Sequence, residues 1–362
     1  MDWIRGETVG HGSFGKVNFA IPRKQSTLFS PSMVVKSSAA SCSATLMNEK
    51  LILEELDSCP QIIRCFGDSY TYEKGEKLYN VLLEYASGGA LSDKIKNSRD
   101  LRLPEFEISK YTKDLLKGLH YIHKSGYVHC DVKLQNILLG EDGQVKIADF
   151  GLAKRAESMK DGNLRCELRG TPLYMSPEMV TAGEQDTPSD IWALGCVVAE
   201  MATGNPVWSC SDVTKLLMAI GVGDQLPEVP EKLSEKAKDF LEKCFVKDPR
   251  KRWTAEMLLD HPFVVADRDE TVPLNNETCY SNTPSISPRC PFDFPDWTSD
   301  DSAESTATCQ ITSLPSPAIQ ELINFSGGSL STSPAERLRG LMNELIQQSE
   351  WDDADDDWVS IR

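Results

Sequence analysis

Two short segments constrain this chain more than any other feature: Tyr127-Val128-His129-Cys130-Asp131-Val132-Lys133-Leu134-Gln135-Asn136-Ile137-Leu138-Leu139 and, after a short turn, Val145-Lys146-Ile147-Ala148-Asp149-Phe150-Gly151. Each sets ionic or amide side chains between apolar runs of strand type, so that the ends anchor in a core while Asp131, Lys133, Asn136 and Asp149 stand in loops. Polar residues beside strands often do no more than cap turns. Two carboxylates, an amide and an ammonium group arriving in this order are too many for that role. Phosphoryl transfer requires such a set: a carboxylate that accepts and orients an attacking hydroxyl, a cation near the transferred phosphate, and oxygen ligands for Mg²⁺.

Further residues upstream fit the same chemistry. The glycine spacing in Gly10-His11-Gly12-Ser13-Phe14-Gly15-Lys16-Val17 lets backbone N–H groups approach triphosphate oxygens. An ordinary strand turn explains a lone string of this kind equally well, and a dinucleotide fold would also use it. That rival needs a helix directly after the glycines, whereas Val17-Asn18-Phe19-Ala20 alternates as a strand. Lys36, closing Met33-Val34-Val35, would be costly to bury without a triphosphate on one side and a carboxylate on the other. Glu49 on the helical stretch Leu46–Leu53 is the candidate carboxylate. Lys24 competes with Lys36, and Glu54 and Glu55 compete with Glu49.

Composition separates the chain into two parts. Up to about residue 266 apolar residues recur between short turns: strand-like over roughly the first hundred residues, then mostly helical from Glu105, with Ile108, Tyr111, Leu115, Leu116 and Leu119 at helical spacing. Residues 267–362 are rich in Ser, Thr, Pro and Asp and carry −13 of the net charge of −17. The expected organisation is a domain over 1–266, with a small β-rich lobe at about 1–86 and a larger helical lobe at about 87–266, followed by a mostly disordered acidic tail. Within the tail, 335–348 places Leu338, Leu341, Met342, Leu345 and Ile346 on one helical face, a segment suited to docking on the folded core or on a partner. The acidity argues against binding nucleic acid or an anionic membrane. No apolar run is long enough to span a bilayer, and eleven cysteines without CxxC pairs read as reduced thiols. A soluble cytoplasmic or nuclear protein is expected.

These segments together resemble the eukaryotic protein kinases over residues 1–264. The resemblance implies an α+β bilobal fold using ATP and Mg²⁺. Asp131 becomes the catalytic base, Lys133 the phosphate-stabilising cation, and Asn136 and Asp149 the metal ligands. The ATP-binding set is Val9, Gly10, Gly12, Ser13, Gly15, Val17, Lys36, Glu49 and the hinge residues Glu84 and Ala86, with Leu83 as gatekeeper. His129 and Phe150 join a packed spine. Gly170-Thr171-Pro172-Leu173-Tyr174-Met175-Ser176-Pro177-Glu178 resembles the end of an activation segment, with Glu178 paired to Arg252 and Asp190 anchoring the catalytic loop. Lys133 and Thr171 match kinases that phosphorylate serine or threonine.

One position departs from the family pattern. Cys130 stands where most members carry an arginine that holds a phosphorylated activation-loop residue. Ser158 is the only hydroxyl-bearing residue between Gly151 and Gly170, consistent with a loop that does not depend on dense phosphorylation. Lys154 and Arg155 are candidate substitutes for the missing cation. Cys130 itself reads as a small space-filling residue or, alternatively, a redox sensor. His-Cys-Asp, Gly-Thr-Pro-Leu-Tyr-Met-Ser-Pro-Glu and an acidic tail with Trp358 resemble plant MEKK-like mitogen-activated protein kinase kinase kinases. This level of resemblance implies a MAP kinase kinase as protein substrate and a role in stress or abscisic-acid signalling. Thr283, Ser287, Ser316 and Ser333 precede proline, as feedback by a downstream MAP kinase would need. The alternatives are a serine/threonine kinase with an unrelated substrate and a pseudokinase scaffold; the scaffold requires a broken site.

Overall fold

The structure, a computed structural model, describes residues 3–12, 15–23, 33–156, 170–210, 212–223, 225–265 and 285–286. The amino-terminal part is an antiparallel sheet of β1 (Trp3–Gly12), β2 (Gly15–Pro22), β3 (Met33–Ala39), β4 (Cys65–Glu73) and β5 (Glu76–Glu84), in the order β1-β2-β3-β5-β4. Strand β3 is central, and Met33, Val34 and Val35 are all buried, as a β-branched run between two neighbours should be. Helix α1 (Ala44–Glu55) follows β3 and buries Leu46, Glu49, Ile52 and Leu53. Arg5 laces the sheet together. Its guanidinium donates to both Glu73 carboxylate oxygens on β4 at 2.9 Å, to Ser37 Oγ on β3 and to Asn80 Oδ1 on β5, both at 2.8 Å.

Strand β5 leads into the helical part through Tyr85–Gly89. There α2 (Leu91–Lys96) and α3 (Glu105–Lys124) precede short strands β6 (Tyr127–Val128), β7 (Ile137–Leu139), β8 (Val145–Ile147) and β9 (Lys154–Arg155), paired as β6-β9 and β7-β8. The predicted apolar face of α3 is inward: Ile108, Tyr111, Leu115, Leu116 and Leu119 are buried. Helices α4 (Pro177–Ala182), α5 (Thr187–Thr203), α6 (Val213–Gly221), α7 (Glu235–Cys244), α8 (Ala255–Leu259) and α9 (Pro262–Val265) complete this part. Helix α5 is apolar nearly all round and forms its core, which its sequence requires. It begins at an Asp186 cap and ends at Gly204, whose positive φ and close approach to the Leu101 carbonyl leave no room for a Cβ.

Three short strands lie beyond the local pattern. The β7-β8 hairpin is joined to its surroundings by bridges from Ile62 to Ile147 and from Ala90 to Leu138. Ser285–Ile286, in a region read from composition as disordered, forms strand β10 parallel to the edge of β1, with Gly10 opposite Ser285 and His11 opposite Ile286. An edge strand's unpaired backbone groups accept such an addition. Ser13, Ser158 and the candidate helix at 335–348 lie outside the described residues. The seven described cysteines are all free thiols, and no described helix is long and apolar enough to cross a membrane.

The helical part is closed by one buried ion pair. Arg252 donates from Nη1 to Glu178 Oε1 at 2.7 Å and from Nη2 to Oε2 at 2.9 Å, and Nη1 also reaches the Pro188 carbonyl. Removing one partner of a fully desolvated pair strands the other charge. Arg252→Ala should therefore lower unfolding free energy by about 3–5 kcal/mol. Chemical denaturation is the measurement, and a loss below about 1 kcal/mol would refute the assignment of this pair as the closing contact.

Candidate active site

The catalytic-loop backbone is set by Asp190, which lies in the first turn of α5. One carboxylate oxygen accepts from the Cys130 N–H at 3.0 Å, the other from the His129 N–H at 2.9 Å, and His123 Nε2 lies 2.9 Å from the latter. Burial opposes the charge on Asp190, but the His123 and His129 contacts outweigh it and hold the carboxyl below its ordinary range. Cys130 adopts a φ of 68°, a left-handed conformation that costs a non-glycine residue about 1–3 kcal/mol and persists only when its neighbours hold it. The thiol is buried against the Val128 carbonyl at 3.5 Å, in keeping with a small residue filling space.

Asp131 is buried at the centre of the loop. Its Oδ1 accepts from Thr171 Oγ1 at 2.8 Å, and its Oδ2 accepts from Asn136 Nδ2 and lies beside Lys133 Nζ, each at 2.9 Å. Lys133 also donates to Thr171 Oγ1 at 3.1 Å. The structure thus gathers Asp131, Lys133, Asn136 and Thr171 into one network. Thr171, read from sequence only as part of the substrate-facing segment, aims the carboxylate of the base. Asn136 spends its amide hydrogens on Asp131, which leaves its oxygen as the atom to offer a cation.

A second cluster lies across the cleft. Lys36 Nζ is 2.7 Å from Glu49 Oε2 and 2.9 Å from Asp149 Oδ1, with the ammonium and Glu49 both nearly inaccessible. Glu54 and Glu55 instead pair with Lys50 and Arg155, and Lys24 lies outside the described residues. Burial alone would lower the Lys36 ammonium; the two carboxylates outweigh it and hold its pKa raised. Burial raises Glu49, whereas Asp149, although desolvated, is held low by Lys36. Asp149 adopts φ 64° and Phe150 packs edge-on to His129 with ring centroids 4.8 Å apart, which completes the expected spine contact.

The remaining nucleotide-binding candidates follow the sheet register. Val17 stands opposite Gly10 on β1 and opposite Lys36 on β3. Val9 precedes Gly10 on β1, and Gly12 pairs with Gly15 at the tip of the hairpin, where a Cβ on Gly15 would lie 2.5 Å from the Ser37 carbonyl. Leu83 and Ala86 are buried at the end of β5 and just beyond it. The Glu84 side chain is engaged by Lys146 at 2.9 Å and accepts from the Arg64 N–H.

Cluster charges test the fit of Mg²⁺. Lys36, Glu49 and Asp149 sum to one negative charge, and Asp131 with Lys133 to none. A site that receives a triphosphate in this setting needs an added cation, and the oxygens of Asn136 and Asp149 are hard donors of the kind Mg²⁺ takes. Asn136 and Asp149 would hold it, and its chemistry there is to offset charge on the phosphate oxygens. The protein's own groups do the rest. Lys36, held in place by Glu49, is positioned where it could meet phosphate, Asp131 could orient an incoming hydroxyl and accept its proton, and Lys133 would supply positive charge beside it.

Sequence reasoning missed two contacts. Arg155, proposed there as a stand-in cation, is committed to Glu55 at 2.8 Å and to the face of Tyr127 at 4.6 Å. Tyr174, on the substrate-facing segment, donates to the Glu200 carboxylate from α5. Burial pushes Glu200 up to about 7. The unfolded carboxyl ionises well below that, so the folded protein binds the extra proton between the two values and stability falls as pH rises toward 7. Glu200→Gln should flatten this slope by about 2–3 kcal/mol between pH 5 and pH 8 in urea unfolding. Parallel pH profiles for the two proteins would contradict the buried acid.

Comparison with known proteins agrees with this geometry. Residues 3–264 match the protein kinase domain family. The chain is 49% identical over 309 residues to mitogen-activated protein kinase kinase kinase 20 of Arabidopsis thaliana, covering 83% of this chain and 89% of that protein. Kinases 18 and 17 of the same series and organism are each 41% identical, over 281 and 274 residues, covering 75% and 74% of this chain and 80% and 71% of their own lengths. The chain belongs to the protein kinase family, as a plant MEKK-like serine/threonine protein kinase of the MAP kinase kinase kinase type.

Proposed function

We propose that this kinase transfers the γ-phosphate of ATP to serine or threonine in the activation loop of a MAP kinase kinase, within a stress or abscisic-acid signalling cascade in the cytoplasm or nucleus. The observation that carries the reading is identity to Arabidopsis kinases of this type extending beyond the catalytic domain, 309 residues in the case of kinase 20. The complete Lys36–Glu49–Asp149 and Asp131–Lys133–Asn136 sets support turnover rather than a scaffold role. Residues 1–266 act as the kinase domain and 267–362 as a regulatory tail, where Thr283, Ser287, Ser316 and Ser333 are sites for feedback by a downstream MAP kinase.

The substrate assignment is tested by incubating the full chain with Mg-ATP and a panel of kinase-dead MAP kinase kinases, with Lys36→Met as control. Activation-loop phosphorylation of at least one member is expected; none on any member, with a generic acceptor still labelled, would sink the cascade reading and leave the kinase intact. Asp131→Asn should lower kcat about 100- to 10,000-fold on any acceptor while ATP affinity stays within about threefold, because the amide keeps the shape and loses the base. Retained kcat would remove Asp131 from its role.

Control of the enzyme also follows from Cys130, which offers no charge to a phosphorylated loop. Phosphatase treatment and Ser158→Ala should each leave at least half of the activity of the purified protein. Abolition by either would show that loop phosphorylation is required.

A further inference from the structure

The peptide joining Cys130 to Asp131 is the piece of backbone from which the catalytic base projects. It is gripped on its amino side, because the N–H groups of His129 and Cys130 both donate to Asp190. Its carbonyl is gripped as well: Gln185 donates from Nε2 to Cys130 O at 3.3 Å. Gln185 is buried, and it belongs to the short turn between α4 and α5. Gly183, with φ 68°, closes α4 just before it. Asp186 caps α5 just after it, accepting from the Thr187 N–H at 2.7 Å. The amide therefore projects from a turn fixed at both ends.

The same carbonyl meets the substrate-facing segment. A Cβ on Gly170 would lie 2.7 Å from Cys130 O, and Gly170 has φ 104°, so only glycine fits against the gripped peptide. Thr171, the next residue, donates to Asp131 and accepts from Lys133. Three segments thus converge on one oxygen: the catalytic loop, the start of the substrate-facing segment and the α4–α5 turn. A neutral amide makes the join, and it needs no phosphate and no charge.

We propose that Gln185 is a positioning residue for phosphoryl transfer: by donating to the Cys130 carbonyl it fixes the Cys130–Asp131 peptide in its left-handed setting, and with it the aim of the Asp131 carboxylate. Loss of the donor frees the peptide to rotate away from Gly170, and the base then spends part of its time misaligned. The nucleotide cluster around Lys36 stands on other elements and is untouched.

The test uses the full chain with Gln185→Glu, which keeps the shape and replaces the donor by an acceptor facing a carbonyl, and Gln185→Met, which keeps the length and has no polar group. A generic acceptor protein makes the result independent of the physiological substrate. Each variant should lose about five- to tenfold in kcat, the scale of one hydrogen bond. The KM for ATP should stay within about twofold, calorimetry should still find one nucleotide per chain, and the amides of residues 129–131 should exchange faster by a similar factor. A kcat within twofold of the parent in Gln185→Met would overturn the proposal. So would a fall in kcat that merely tracks lost nucleotide stoichiometry, since that describes loss of folded protein rather than a misaimed base. If Gln185→Glu does not fold, Gln185→Met carries the decision alone.

Discussion

Asp190 is the group on which the active-site geometry rests. A carboxylate buried in the first turn of the core helix is an expensive feature, and it persists because every bond it makes is spent on the catalytic loop or on the helix beneath it. The N–H groups of the adjacent residues His129 and Cys130 both point at one carboxylate, in a tight curve where Cys130 sits at positive φ. That curve turns Asp131 toward Thr171, Asn136 and Lys133. The chemistry is therefore tied to the buried core helix.

Charge joins the two lobes at the cleft. Lys36 comes from the central strand, Glu49 from the helix behind it and Asp149 from the loop after β8, so one ammonium group connects three elements. Two buried carboxylates on one cation leave an excess of negative charge, an arrangement that does not by itself favour stability. It suits a site that completes itself with a metal and a nucleotide. Arg252 and Glu178 are the contrasting case, a bidentate one-to-one pair whose role is to hold α4 against the helical core.

Legibility in the sequence followed contact range. The strands around Lys36, the amphipathic α3 and the loop residues Asp131, Lys133, Asn136 and Asp149 were readable because periodicity and spacing are local properties. The pairing of Lys36 with Glu49 rather than with its neighbours on α1 needed the resemblance as well as the helix pattern. Gln185 left no signal: its partner lies 55 residues away, and glutamine in a polar turn looks like any solvated residue. The contacts of Arg155 were hidden for the same reason, since nothing local shows that it meets Glu55 and Tyr127. The strand at Ser285–Ile286 was hidden by its surroundings, because backbone pairing to the edge of β1 is indifferent to the composition that marked the region as disordered.

Cys130 shows how a departure from a family pattern is absorbed. An arginine at this position would bring a charge that requires an anion, and the loop would then be ordered only when the anion is present. A buried thiol removes that dependence but also removes a grip. The backbone contacts restore it with neutral or already paired groups: Asp190 on one side of the peptide, Gln185 and the close face of Gly170 on the other. A catalytic loop held this way is set when the chain folds. On the proposed reading, control acts on what the loop does not fix, such as access of substrate or the amount of protein.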